Sequence, residues 1–253
     1  MSAVGFIGTG HIAAPMARFL AARGREVVVS DRNAEVAARL AENSAIRIEP
    51  NQGVLDACET VVLCLRPHIA ADVLDALQFR SDHKVVSVMA GVPRAELQQL
   101  CAPATDFTQT IPLGYLESGG CPLPAYPDAE VLAALFAPEN PVFAVASEQA
   151  LNLHFAICAL VPGILDILAT AAGWLGEATG DSDSAEFYAR QLVGGFLTSL
   201  PPDDAGQLAA ERDALATEGT LSLQMVEALR AAGVSEAVRD ALSGIGNRLE
   251  AAR

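Results

Sequence analysis

Lysine is nearly missing from this chain of 253 residues: Lys84 is the only one, and a formal net charge of −15 results. Nucleic acids and anionic membranes are bound through clustered cations, so neither is an expected partner. Aromatic residues make up only 5% of the chain, so an aliphatic core is expected. The five cysteines (Cys58, Cys64, Cys101, Cys121 and Cys158) are odd in number and lack C-x-x-C spacing. That argues against a disulfide framework or a zinc site and favours a reduced compartment. His11, His68, His83 and His154 have no ligand spacing either, and no metal is expected. No basic region precedes the first apolar run, Val4–Ile7, which is too short for a signal peptide; a cytoplasmic protein is the expectation.

What is abundant is aliphatic: half of the residues are hydrophobic, enough for a large core and two domains. Phe155–Gly176 is 22 residues long with one charge, Asp166. Its length reaches that of a membrane-spanning helix. Pro162 and the lack of a basic flank favour instead a buried helix, at a subunit interface.

The first half alternates short β-branched runs with helical ones. Strands are predicted at Val4–Ile7, Val27–Ser30, Ile46–Ile48, Val61–Leu65, Val85–Met89 and Thr105–Thr110, and helices at His11–Ala22, Ala34–Glu42, Ile69–Leu77 and Arg94–Leu100, with a short one from Asn51. Apolar runs that do not alternate suit a parallel sheet covered on both faces. Ile111–Asp128 reads as loops, then a helix at Ala129–Phe136 and a strand at Val142–Val145. Beyond Ala146 only helices are expected: Glu148–Glu177 kinked at Pro162, about Ala205–Ala216, Ser184–Leu200, Leu221–Ala232 and Ser235–Ala252. The fold class is therefore α/β, with a doubly wound, mostly parallel Rossmann sheet over 1–146 and an all-α domain over 147–253.

Gly8-Thr9-Gly10-His11-Ile12-Ala13 forms G-x-G-x-x-A directly after the first strand. Gly8 permits a tight turn, Gly10 lets the backbone approach a pyrophosphate, and Ala13 lets the helix pack close to the strand. The helix N-terminus then offers N–H groups to the phosphates. Ser30-Asp31-Arg32, ending the second strand, would meet the adenosine ribose. Asp31 accepting from a 2′-hydroxyl favours NAD, whereas Ser30 and Arg32 holding a 2′-phosphate favour NADP. NADP is preferred, with NAD the alternative. Leu65-Arg66-Pro67 and Ala90-Gly91 follow further strands, at the edge where open α/β sheets bind ligands.

Several motifs together make the sequence similar to the pyrroline-5-carboxylate reductase family. They are Val4–Ala13, the strand followed by Arg66-Pro67, Ser87-Val88-Met89-Ala90-Gly91-Val92, and Gly219-Thr220-Leu221-Ser222 leading into Glu227–Val234. The resemblance implies an NAD(P)H-dependent reductase acting on a cyclic imine in proline biosynthesis. It also implies a homodimer interlocked through C-terminal helices, with a small-molecule substrate held beside the cofactor. Pro112, Leu113, His154 and Gly219 fall where substrate residues are expected, and the hydroxyls of Ser222 and Thr220 are candidates to hydrogen-bond the imine nitrogen. The pocket departs from the family pattern at Gln109-Thr110-Ile111-Pro112-Leu113 and Cys158-Ala159-Leu160-Val161-Pro162, where leucine and valine replace polar or small residues. An altered substrate follows. The alternative reading is a non-catalytic NAD(P)-binding protein that has lost the substrate site. The missing lysine on the first long helix weakens a hydroxyacid-dehydrogenase reading.

Overall fold

A computed structural model describes residues 2–201 and 206–251. Ala205 and Ala252, expected ends of two helices, lie outside the described residues. The first half runs β1 (Val4–Ile7), α1 (Ala13–Ala22), β2 (Val27–Ser30), α2 (Ala34–Leu40), β3 (Ile46–Glu49), α3 (Asn51–Ala57), β4 (Thr60–Leu63), α4 (Pro67–Leu74), β5 (Lys84–Ser87), α5 (Arg94–Leu100) and β6 (Asp106–Thr110). After it come a 3-10 turn (Gly114–Ser118), β7 (Leu123–Tyr126), α6 (Glu130–Phe136) and β8 (Val142–Ala144).

These strands make one sheet in the order β3-β2-β1-β4-β5-β6-β7-β8. Every pairing is parallel except β6 with β7. The chain therefore winds outward twice from β1, and the reversal between β1 and β4 opens a crevice at the carboxyl ends of the strands. Side chains alternate between two cores. Phe6, Val27, Val29 and Val62 pack with α1, α2 and α6 on one face. Ile7, Val28, Val61 and Leu63 pack with α3, α4 and α5 on the other. Burial on both faces is why the strands read as continuous apolar runs.

Helices follow: α7 (Glu148–Ile157), α8 (Leu160–Thr179), α9 (Ser182–Ser199), α10 (Gln207–Leu215), α11 (Leu221–Ala231) and α12 (Val234–Ala251). Two compact units result, residues 1–156 with 246–253, and residues 157–245. The sheet and α7 lie in the first, and α8 to α11 in the second.

Three expectations need correction. The helix predicted over Glu148–Glu177 is two helices, broken after Ile157. Pro162 does not kink its interior; it occupies the first turn of α8, where its missing N–H is one of those left unbonded anyway. The loop predicted over Ile111–Asp128 contains β7 and the 3-10 turn; Pro124 inside β7 masked the strand signal. The helix predicted from His11 begins at Ala13, and His11 and Ile12 form a turn ahead of it.

The second unit is built on the α8–α9 hairpin. Gly180, at φ +75°, ends α8, and Asp181 caps α9 by accepting from Ser184 N–H at 3.1 Å. Hydrogen bonding from the Ser184 side chain, and then from its N–H, holds the Asp181 carboxyl below its ordinary pKa. Of α8, only Ala172 and Gly176 are buried within the chain, while Leu165 and Trp174 are 58% and 70% exposed.

Candidate functional site

A cleft of about 790 Å³ opens at the reversal point, in the size range of small-molecule and cofactor sites. Three strand ends wall it: Gly8–His11 after β1, Arg32–Val36 after β2, and Cys64–Ile69 after β4.

The turn after β1 is fixed from beneath. Ser30, fully buried at the end of β2, accepts from Gly8 N–H through Oγ at 2.9 Å, and its carbonyl accepts from the Thr9 hydroxyl at 2.6 Å. Gly8 itself has no alternative: φ is +92°, and an added Cβ would lie 2.5 Å from the Cys64 carbonyl oxygen. Gly10 differs. No protein atom lies within 4 Å of the position its Cβ would occupy, so nothing in the fold demands glycine there. That space faces the cleft, beside the first turn of α1. No side chain caps this helix end, and its first turn holds no acidic residue. Of its first amides, Ala14 N–H is taken by the Gly10 carbonyl at 2.9 Å and Pro15 has none, so it is the positive end of the helix dipole that is presented to the cleft. The opening for a diphosphate is a property of the backbone.

The sequence-predicted residues divide between roles. Gly8, Thr9, Gly10, His11, Arg32, Leu65 and Arg66 line the cleft. Ile12 instead turns inward and packs on the core. Ser30 acts from below, its hydroxyl taken up by Gly8 and Thr9, and is not part of the wall. Asp31 is exposed beside the cleft without lining it. Pro67 starts α4 at its first position, with Arg66 in extended conformation ahead of it. Ala90 and Gly91 lie after β5, with Gly91 at φ +74°. Their segment is held by Ser87 Oγ, which accepts from Met89 N–H at 3.3 Å, and by Gln109 Nε2, which donates to the Val92 carbonyl at 3.0 Å.

The expected substrate residues are spread over both units. Pro112 is buried, and Leu113 N–H donates to Cys121 Sγ at 3.4 Å. His154 lies on α7, with Nδ1 2.7 Å from the Ala150 carbonyl and its ring 5.8 Å from that of Phe143. Gly219, Thr220 and Ser222 belong to the second unit. Gly219 takes φ +81°. Thr220, not Ser222, caps α11: its Oγ1 accepts from Leu223 N–H at 3.1 Å and donates to the Thr217 carbonyl at 2.7 Å. The Ser222 hydroxyl makes no hydrogen bond among the described residues.

Sequence reasoning missed Arg18 and Arg39, both in the cleft wall. Each is brought there by a helix, α1 and α2, far from any motif spacing. Arg18 donates through Nε to both Glu117 carboxylate oxygens, at 2.9 and 2.8 Å, so its charge is engaged. Arg39 pairs with Glu35 one turn earlier on α2. Arg32 and Arg66 form no ion pair among the described residues. Burial pushes Cys58 up to about 11 and Cys101 up to about 12, and raises Cys121 and Cys64, the latter in the cleft wall, which disfavours their thiolates. Among the described residues, no three His, Cys, Asp or Glu side chains come together as metal ligands.

Known proteins share these features. A family model described as NADP oxidoreductase coenzyme F420-dependent matches residues 3–91. The chain is 29% identical over 143 residues to a pyrroline-5-carboxylate reductase of Haemophilus influenzae, covering 54% of this chain and 49% of that protein. The aligned part spans about half the length of the curated relatives it matches. In three dimensions, a 1-pyrroline-5-carboxylate reductase from Streptococcus pyogenes superposes with a TM-score of 0.83 at 17% identity, over 98% of each chain. A pyrroline carboxylate reductase of Plasmodium falciparum with NADP bound superposes with a TM-score of 0.83 at 14% identity, over 99% of this chain and 98% of that one. The resemblance to pyrroline-5-carboxylate reductases thus holds in sequence over about half of the chain and in fold along nearly all of it.

Proposed function

We propose that this chain is an NADPH-dependent reductase that reduces the C=N bond of a cyclic imine. The observation that carries the reading is the vacant Cβ position of Gly10 beside an uncapped helix start, in a cleft at the switch point of the sheet. This surface fits a dinucleotide diphosphate, and the fold is that of reductases solved with this cofactor. NADPH, when bound, supplies the hydride. The protein's own work is to hold, orient and shield.

Arg32 supports NADP over NAD: it lines the cleft without an ion-pair partner among the described residues, while Asp31 stands outside the wall. Ser30 holds the glycine turn in place and so supports the diphosphate site indirectly. Leu65, Arg66, Pro67, Ala90 and Gly91 are assigned to the nicotinamide end. Of the two candidate hydroxyls, Ser222 is the better donor to an imine nitrogen, since capping already occupies Thr220. Pro112, Leu113, His154 and Gly219 are retained as substrate residues. Leucine and valine at 113, 160 and 161 give poor support to a substrate carboxylate, whose burial without partners is costly. A less polar imine than pyrroline-5-carboxylate is therefore favoured, and a role in proline biosynthesis is secondary.

The exposed apolar faces of α8, α9 and α11 fit a homodimer interface, and that is the role proposed for residues 147–253. Glu148–Thr179 is long and apolar enough to cross a membrane. The helix break after Ile157 and the fold shared with metabolic reductases favour a soluble protein. Five cysteines without a disulfide suit the cytoplasm.

The test is titration with NADPH and NADH, then turnover on a panel of cyclic imines with and without a carboxylate. NADPH should bind more tightly, and at least one imine should be reduced. NADH tighter by about tenfold, roughly 1.4 kcal/mol, would overturn the cofactor choice. Tight NADPH binding with no turnover on any imine would support the non-catalytic alternative.

A further inference from the structure

We propose that Arg39, held by Glu35, is a second ligand for a nucleotide 2′-phosphate, and that this ion pair sets how strongly the cleft prefers a phosphorylated dinucleotide. The inference rests on the cofactor reading above. Arg32 follows β2, and Arg39 lies on the helix that follows; both line the cleft. Together they bring two arginine side chains to the β2 side of the cleft, where an adenosine ribose would lie. Guanidinium forks match phosphate oxygens, and two of them hold a phosphate dianion better than one.

Apart from Arg32, the cleft-lining arginines Arg18, Arg39 and Arg66 are unequal in their surroundings. Arg18 is fixed in a bidentate contact with Glu117, reaching from α1 to the 3-10 turn. Arg66 lies after β4, on the opposite side of the reversal point from β2. Arg39 has only an i,i+4 partner on its own helix, with 69% and 75% of the two side chains exposed. Such solvent-exposed pairs are weak and exchange readily. A dianionic phosphate can take Arg39 from Glu35, and the Glu35 carboxylate then opposes it by like-charge repulsion. Glu35 thereby holds Arg39 in position when no phosphate is present and lowers the affinity for one that arrives. A cofactor without the 2′-phosphate meets neither effect.

The experiment is calorimetric titration of the full chain with 2′,5′-ADP and with ADP, comparing wild type with Arg39→Ala and Glu35→Gln. Melting temperature confirms that each variant is folded. Arg39→Ala should weaken 2′,5′-ADP by about tenfold and leave ADP unchanged. Glu35→Gln should tighten 2′,5′-ADP by about twofold, again without effect on ADP. The proposal is overturned if Arg39→Ala changes both ligands equally or neither, or if Glu35→Gln weakens 2′,5′-ADP or leaves it unchanged. If the wild type binds neither nucleotide, the cofactor reading itself fails, and that result is distinct from binding that is insensitive to residue 39.

Discussion

Gly8 and Gly10 look equivalent in the motif and are opposite in cause. Gly8 is required by the fold, since its φ of +92° and the Cys64 carbonyl 2.5 Å from its Cβ position exclude a side chain. At Gly10 the fold imposes no such limit, since no atom beyond the adjoining residues lies within 4 Å of its Cβ position. Gly8→Ala should therefore lower unfolding free energy by at least about 2 kcal/mol, combining left-handed strain with overpacking. Gly10→Val should leave the urea midpoint nearly unchanged yet abolish measurable NADPH binding. Another buried residue, His83, makes stability depend on pH. Arg80 N–H donates to its Nδ1 at 3.0 Å, and Nε2 lies 3.0 Å from the Leu55 carbonyl, so the ring is held neutral with its proton on Nε2. Burial lowers its pKa. The unfolded chain therefore binds a proton that the folded chain refuses once pH falls below about 6.5. Stability should be full above that value and decline as pH drops toward the folded pKa. Urea midpoints between pH 7.5 and 5.5, compared with a His83→Gln variant that lacks this slope, check it.

Element ends carry the second level of order. Asn33 caps α2 by accepting from Val36 N–H, Asp181 caps α9, and Thr220 caps α11. Gly219 at φ +81° turns the chain just before Thr220, which begins α11 as its cap. Thr220→Ala should cost about 1 kcal/mol of stability by urea unfolding, and Thr220→Ser should restore most of it. Ser222→Ala should leave stability within about 0.5 kcal/mol and lower turnover instead. The break between α7 and α8 belongs to this scale too: a period of 3.6 continues through the junction, and only the backbone shows where the helix stops.

At the scale of the molecule, the second unit leaves large apolar side chains uncovered. Leu165, Trp174, Phe187 and Leu192 are all more than half exposed, on helices with few buried residues. Apolar surface of this extent marks an association face. Sedimentation should give twice the 26.3 kDa chain mass, and Leu165→Glu with Phe187→Glu should reduce it to that mass. Trp174 is the single tryptophan, so its emission should shift to longer wavelength on dissociation.

Local covalent chemistry decided much in advance. Aliphatic runs of four or five residues, glycines at fixed spacing and helix punctuation sufficed for the strands of a mostly parallel Rossmann sheet and for the glycine turn after β1, because these depend on neighbours close along the chain. Pro124 hid β7, whose strand character comes only from pairing with β6 and β8. The sequence likewise could not reveal that Ser30 lies under the glycine turn, or that Arg18 and Arg39 reach the cleft wall. Those facts arise when α1 and α2 pack against one face of the sheet and carry distant residues to a common edge. Spacing in the chain encodes the period of an element, whereas proximity between elements exists only once their side chains have interlocked.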